Sequence, residues 1–174
     1  MVYARARLLL VFLFIIVGLI LHFQLGIGTA IYPYLGAIVL MITHFIFNNV
    51  SAAFVLLRRG KIDQAERLID QVKKPEWLVK QHRAYYHFTK GMISLQRNEL
   101  AEGKTDLKEA LSIGLRTDND RALAILNLAH ICYLNKENEE ARNYLNEAKQ
   151  LNSDDLIIKQ KVEEMEKAMV YKEN

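Results

Sequence analysis

The sequence predicts an all-α protein: an N-terminal transmembrane helical hairpin, a short α-solenoid of about three helical hairpins, and a C-terminal capping helix. Three observations predict it. From Leu8 through Leu57 there is no Asp, Glu, Lys or Arg. Beyond that point small residues recur with a period of 38. The last stretch, from Ser153, carries Ile158, Val162, Met165 and Met169 on one helical stripe among Lys and Glu. The predicted divisions are 1–47 for the hairpin, 48–152 for the repeats and 153–174 for the cap.

The apolar region is too long for one crossing, because a spanning helix needs roughly 20 residues. It divides into spans at about 8–25 and 31–47, with "GIGTA" and Pro33 supplying the turn. A cleaved signal peptide is the competing reading, since Arg5 and Arg7 resemble its charged start. However, the apolar core exceeds the usual 7–15 residues or so and a second apolar segment follows at once. Basic residues flank the pair at both ends (Arg5, Arg7; Arg58, Arg59, Lys61) and none lies in the turn. The positive-inside rule then places both termini in the cytoplasm, making this an inner-membrane protein with two spans.

All twenty acidic and twenty-one of the twenty-three basic residues lie at or after Arg58. That part is nearly neutral, which argues against nucleic acid as a partner. Cys132 is the only cysteine, so no internal disulfide can form.

The repeat is read by laying the chain on itself at an offset of 38. Ala53, Gly91 and Ala129 align, then Ala65, Gly103 and Ala141, then Ile69, Leu107 and Leu145, then Val72, Ala110 and Ala148. Small residues on two successive helices let their backbones approach, and the large residues four further on fill the layer between hairpins. Gly60 and Asn98 fall where a turn wants φ > 0, and Lys136 breaks that column. Gly114 and Asn152 form a second turn column. Asp118 and Ser153 are expected to cap the helices that follow, and Pro75 suits a first helical turn.

Between Asn49 and Asn152 these residues resemble the tetratricopeptide repeat family. Its second-helix pattern A-x3-F-x2-A is matched by Ala65-x3-Ile69-x2-Val72, Gly103-x3-Leu107-x2-Ala110 and Ala141-x3-Leu145-x2-Ala148. The period is 38 rather than the family's 34, and the first-helix Trp and Leu columns are replaced, by His87 and Lys90 in the second copy. In this register the first repeat helix begins near Ile46, inside the second span. No Pro or Gly interrupts Ala37 through Arg59, so one helix is expected to serve both units.

The resemblance implies a groove lined by the first helices: Val50 and Phe54, then Tyr85, Phe88, Met92 and Leu95, then Leu126, Asn127, His130 and Tyr133. Only Asn127 resembles a residue of the family's carboxylate clamp. An apolar, aromatic groove suits an amphipathic helix or extended apolar segment. The bland alternative is that these side chains are core between layers.

No nucleophile motif, phosphate-binding glycine loop or purposeful carboxylate pair is visible, so no enzyme, cofactor, metal or small-molecule substrate is expected. His22 and His44 differ in membrane depth by roughly 15 Å at 1.5 Å per residue, too far to share one ion. His82 and His87 lack metalloprotease framing, and Cys132 occupies a packing column. The expected job is holding a protein partner at the membrane. The alternatives are an accessory subunit of a membrane enzyme or transporter, bound through the hairpin, and a secreted or periplasmic repeat protein after signal cleavage.

Overall fold

The computed structural model describes the backbone of residues 2–151, 153 and 155–171, and the side chains of 9–42, 49–151, 153 and 155–169. Every regular element within that range is helical: α1 (Val2–Leu25), α2 (Ile27–Arg58), α3 (Ile62–Asp70), α4 (Lys80–Gln96), α5 (Leu100–Ile113), α6 (Asp118–Leu134), α7 (Asn138–Gln150) and α8 (Leu156–Tyr171), with a 3-10 turn at Pro75–Trp77.

α1 and α2 form a tight antiparallel hairpin. The expected turn over "GIGTA" and Pro33 is corrected to one residue, Gly26, whose φ of 85° suits glycine. α2 restarts at Ile27 and takes in Pro33, because the Thr29 hydroxyl donates to the Gly26 carbonyl at 3.0 Å and holds the first turn together. Glycines set the helix spacing: a Cβ on Gly18 would lie 2.6 Å from the Tyr34 ring, and one on Gly36 2.7 Å from the Phe14 ring. Among the described residues no helix is long and apolar enough to cross a membrane.

The outward faces of this hairpin are apolar. Of the large hydrophobic side chains exposed among the described residues, nineteen lie between Leu9 and Ile42 and six in all the rest. Isolated exposed hydrophobics are ordinary, whereas so many on one hairpin make it a candidate contact surface.

From Asn49 onward the chain is a stack of helical pairs: the end of α2 with α3, α4 with α5, α6 with α7, and α8 closing the end. Element boundaries repeat at the sequence period. The helices of the first column end at Arg58, Gln96 and Leu134, the second column starts at Ile62, Leu100 and Asn138, and α4, α6 and α8 start at Lys80, Asp118 and Leu156. All twelve aligned register positions are buried. Together they make three linked cores, around Val50 and Ile69, around Phe88 and Leu107, and around Ile125 and Leu145.

The three tight turns are built identically. Gly60, Asn98 and Lys136 have φ of 72°, 63° and 64°. Each is followed by an N–H that reaches back to the helix: Lys61 to Leu56 O, Glu99 to Ser94 O, Glu137 to Cys132 O, at 2.8–3.0 Å. This paired pattern ends a helix by satisfying its last carbonyls. Lys136 therefore does not break the turn column; the bond pattern forces a lysine into a conformation glycine prefers.

Two expected caps are also corrected. Thr117, not Asp118, caps α6, accepting the Asp120 N–H at 3.1 Å. At α8 the Asp155 carboxylate accepts the Ile157 N–H at 2.9 Å, while Ser153 accepts only the Asp155 N–H, at 3.4 Å. Asn152 lies outside the described residues.

Candidate partner groove

The first helices of the pairs line one side of the stack, and α8 stands opposite as a fourth wall. Between them runs a groove with two chambers. The chamber nearer the first pair, about 610 Å³, is walled by Phe54, Leu57, Phe88, Met92 and Leu123, with Ile157 of α8 across from them. The other, about 520 Å³, is walled by Leu95, Leu126, Asn127, His130 and Tyr133, facing Met165 and Ala168. Gln96, Leu123 and Lys161 border both chambers, which makes them parts of one groove.

The structure divides the groove residues expected from sequence. Val50, Phe88 and Leu126 are buried at 0%, 1% and 5% exposure and belong to the cores, although Phe88 and Leu126 each show an edge to a chamber. Phe54, Met92, Leu95, Asn127 and Tyr133 are half-buried on the walls, and His130 is exposed. Tyr85 is half-buried behind the wall. The Asn127 amide donates to Leu123 O at 2.7 Å, along its own helix.

Aromatic packing stiffens the first chamber. The rings of Phe54, Tyr85 and Phe88 meet edge-on or tilted, with centroids 5.0–6.3 Å apart, and the Arg58 guanidinium sits over Phe54 at 5.7 Å. The Tyr85 hydroxyl donates to the Asp120 carboxylate at 2.5 Å, which also accepts from Thr117 at 2.7 Å. Burial, helped by the Asp120 hydrogen bond, pushes the Tyr85 phenol up to about 12, so it stays a donor throughout the physiological range. This tie joins α4 to α6 and fixes the wall between the second and third pairs.

Sequence reasoning does not find the α8 wall or the Tyr85–Asp120 tie. It also misses a polar knot behind the groove, where the buried Asp106 pairs with His87 Nδ1 at 2.7 Å and with Lys90 at 3.3 Å. These three stand where the other copies carry Asn49, Ala52 and Leu68, or Ile125, Leu128 and Tyr144. The one signal was the replacement of the apolar column by His87 and Lys90. His22 packs edge-on against Phe23 at 5.8 Å, and the side chain of His44 lies outside the described residues.

On the far side, ion pairs lace the second helices together. Lys104 bridges Glu137 and Glu140, and Lys108 meets Glu140 at 3.1 Å. Lys104 is partly desolvated, which opposes its charge, but the two carboxylates outweigh this and hold its pKa above the ordinary value. Cys132, Glu137 and Glu140 are the one set of potential metal donors among the described residues. Lys104 already pairs with both carboxylates there, and Lys108 with Glu140. Burial, with a Glu137 hydrogen bond, raises the Cys132 thiol to about 11, so the thiolate a metal would need is scarce.

The chain matches no protein-family profile, no curated protein and no solved structure.

Proposed function

We propose that this protein is a membrane-anchored scaffold of the tetratricopeptide type, which offers its groove to an apolar or amphipathic segment of a protein partner. The observation that carries the reading is the juxtaposition of a preformed, two-chambered apolar groove with a hairpin whose outward faces are apolar. Partner recognition by first helices fits the groove's composition: Phe54, Met92, Leu95 and Leu123 give apolar contact. Arg58, Asp120 and Lys161 at the rim set orientation. α1 and the first part of α2 are read as the two spans, supported by the uncharged run from Leu8 to Leu57 and by its basic flanks. Both termini then face the cytoplasm, and a reporter active only in the cytoplasm should work when fused after Asn174.

The groove is tested by cross-linking in intact membranes, followed by identification of what co-purifies. Met92→Glu with His130→Glu puts two charges on wall positions that already reach solvent. The domain should still melt cooperatively while partner recovery falls about tenfold or more, since a charge must be desolvated where an apolar segment docks. Phe88→Glu, at a core position, should instead unfold the stack. An unchanged set of co-purifying proteins in the folded double variant would sink the groove and move the association to the hairpin.

A further inference from the structure

The loop between α3 and α4 displays the chain's only tryptophan, Trp77, to the outside at 68% exposure. The loop is not loose. Val72 and Leu78 on either side are buried at 8% and 4% in the first core. Between them the Trp77 N–H donates to Lys74 O at 3.1 Å and the Leu78 N–H to Pro75 O at 3.0 Å. This rigid 3-10 turn points the largest apolar side chain of the region away from the protein, and Val79 beside it is 53% exposed.

One contact, beside the burial of Val72 and Leu78, marks the height of the loop. Gln71 Oε1 accepts from Asn49 Nδ2 at 3.0 Å. Asn49 is the second polar residue after the apolar run of α2, about 3 Å along the helix from Phe47. α3 runs back toward the apolar hairpin and α4 sets out from the same level, so residues 70–83 lie at the hairpin end of the first pair. That edge is basic: Lys73, Lys74 and Lys80 are exposed and Arg83 is half-buried, against Asp70 and Glu76. The Lys74 ammonium rests 4.0 Å from the Trp77 ring centroid.

We infer that the 71–80 loop is a second membrane contact, in which Trp77 sits among the lipid headgroups and Lys73, Lys74 and Lys80 pair with anionic lipid. Tryptophan favours the headgroup level because its ring is apolar and its N–H needs a partner. The cytoplasmic leaflet supplies negative charge within reach of juxtamembrane lysines. The contact rests on the reading of α1 and α2 as spans, and it gives the stack a second point of attachment.

As the sole tryptophan, Trp77 reports on itself. The full-length chain is reconstituted in phosphatidylcholine vesicles with or without phosphatidylglycerol, using acyl chains brominated either near the headgroup or near the bilayer centre. Flotation and resistance to alkaline carbonate read insertion of the hairpin separately. In anionic vesicles Trp77 emission should shift blue and be quenched about twofold by shallow bromine, and little by deep bromine. Lys73→Glu with Lys74→Glu should remove roughly half of that quenching with helix content and melting unchanged. Inserted protein whose Trp77 is unquenched overturns the contact and leaves the hairpin standing. Equal quenching with and without phosphatidylglycerol overturns the role of the lysines. Protein that neither floats nor resists carbonate overturns the span reading, and this contact with it.

Discussion

Gly60 and Lys136, two repeat lengths apart, hold the same left-handed backbone conformation and are followed by the same helix-ending hydrogen bond. Glycine occupies it freely, whereas a residue with a Cβ is strained there by roughly 1–2 kcal/mol. Lys136→Gly should therefore stabilise the stack. Glycine's greater freedom in the unfolded chain offsets roughly 0.5–1 kcal/mol of the gain. A rise of a few degrees in melting temperature is the expected result, and a fall would show that the Lys136 side chain contributes more than its strain costs.

The second pair is the only one with glycine at both small-residue positions, Gly91 and Gly103. A Cβ on Gly91 would lie 2.9 Å from Leu107 Cγ and 3.1 Å from the Leu107 backbone nitrogen. Alanine is favoured over glycine in a helix by about 1 kcal/mol, but overpacking against backbone costs roughly 1–3 kcal/mol. Gly91→Ala is expected to lower the melting point despite the better helix former. Gly103→Ala, whose nearest neighbours lie at 3.3 Å, should cost less.

The end of α2 belongs to the first core. Val50 and Ala53 are fully buried against Ala65 and Ile69, and Phe54 packs on Tyr85 and Phe88. A chain beginning at Arg59 loses all three, and each large buried side chain contributes roughly 1.5–3 kcal/mol against a domain stability of roughly 5–15 kcal/mol. Thermal melts followed by circular dichroism should show a cooperative transition for a chain starting at Asn48 and a weak or absent one from Arg59. Equal midpoints would make α2 dispensable to the stack.

Acid should loosen the α5–α7 seam. Hydrogen bonds from Lys104 and Lys108 lower the Glu140 carboxyl to about 2, from an ordinary value of 4.5. A carboxylate depressed on folding stabilises above its ordinary pKa, and that contribution fades as pH falls from about 4.5 toward 2. Glu140 is partly exposed, so solvent screening limits the effect to about 1 kcal/mol or less. Lys104→Met should shrink the acid-sensitive part of the melting curve, and high salt should do the same.

Much of the backbone is legible in the sequence because it depends on short-range rules. The small residues at Ala53, Gly91 and Ala129 mark close helix approaches, and Gly60 and Asn98 mark turns, for reasons contained within a few residues. Lys136 misleads because residue type is only a preference, and the hydrogen bonds of the turn override it. The groove is less legible. Phe88 and Met92 are one helical turn apart and equally apolar, yet one is core and the other wall. Their difference depends on which face of α4 meets Ala124 and Leu128 of α6, which no local pattern encodes. The tie from Tyr85 to Asp120 and the pairing of Asp106 with His87 and Lys90 likewise join residues 16 to 35 positions apart, beyond any local rule.

The unbroken course of α2 from the hairpin into the first pair gives the chain a rotational phase. Its 32 residues make a rod about 48 Å long, and from Ala37 to Arg59 it has no Pro or Gly at which to swivel. Each residue added to or removed from that stretch turns everything beyond it by about 100° and shifts it by about 1.5 Å along the axis. The compass direction in which the groove faces, relative to the plane of the α1–α2 hairpin, is thus written in a residue count. Seven residues restore that direction to within about 20° while lifting the stack by about 10 Å, so height can change at nearly constant bearing only in steps of about seven.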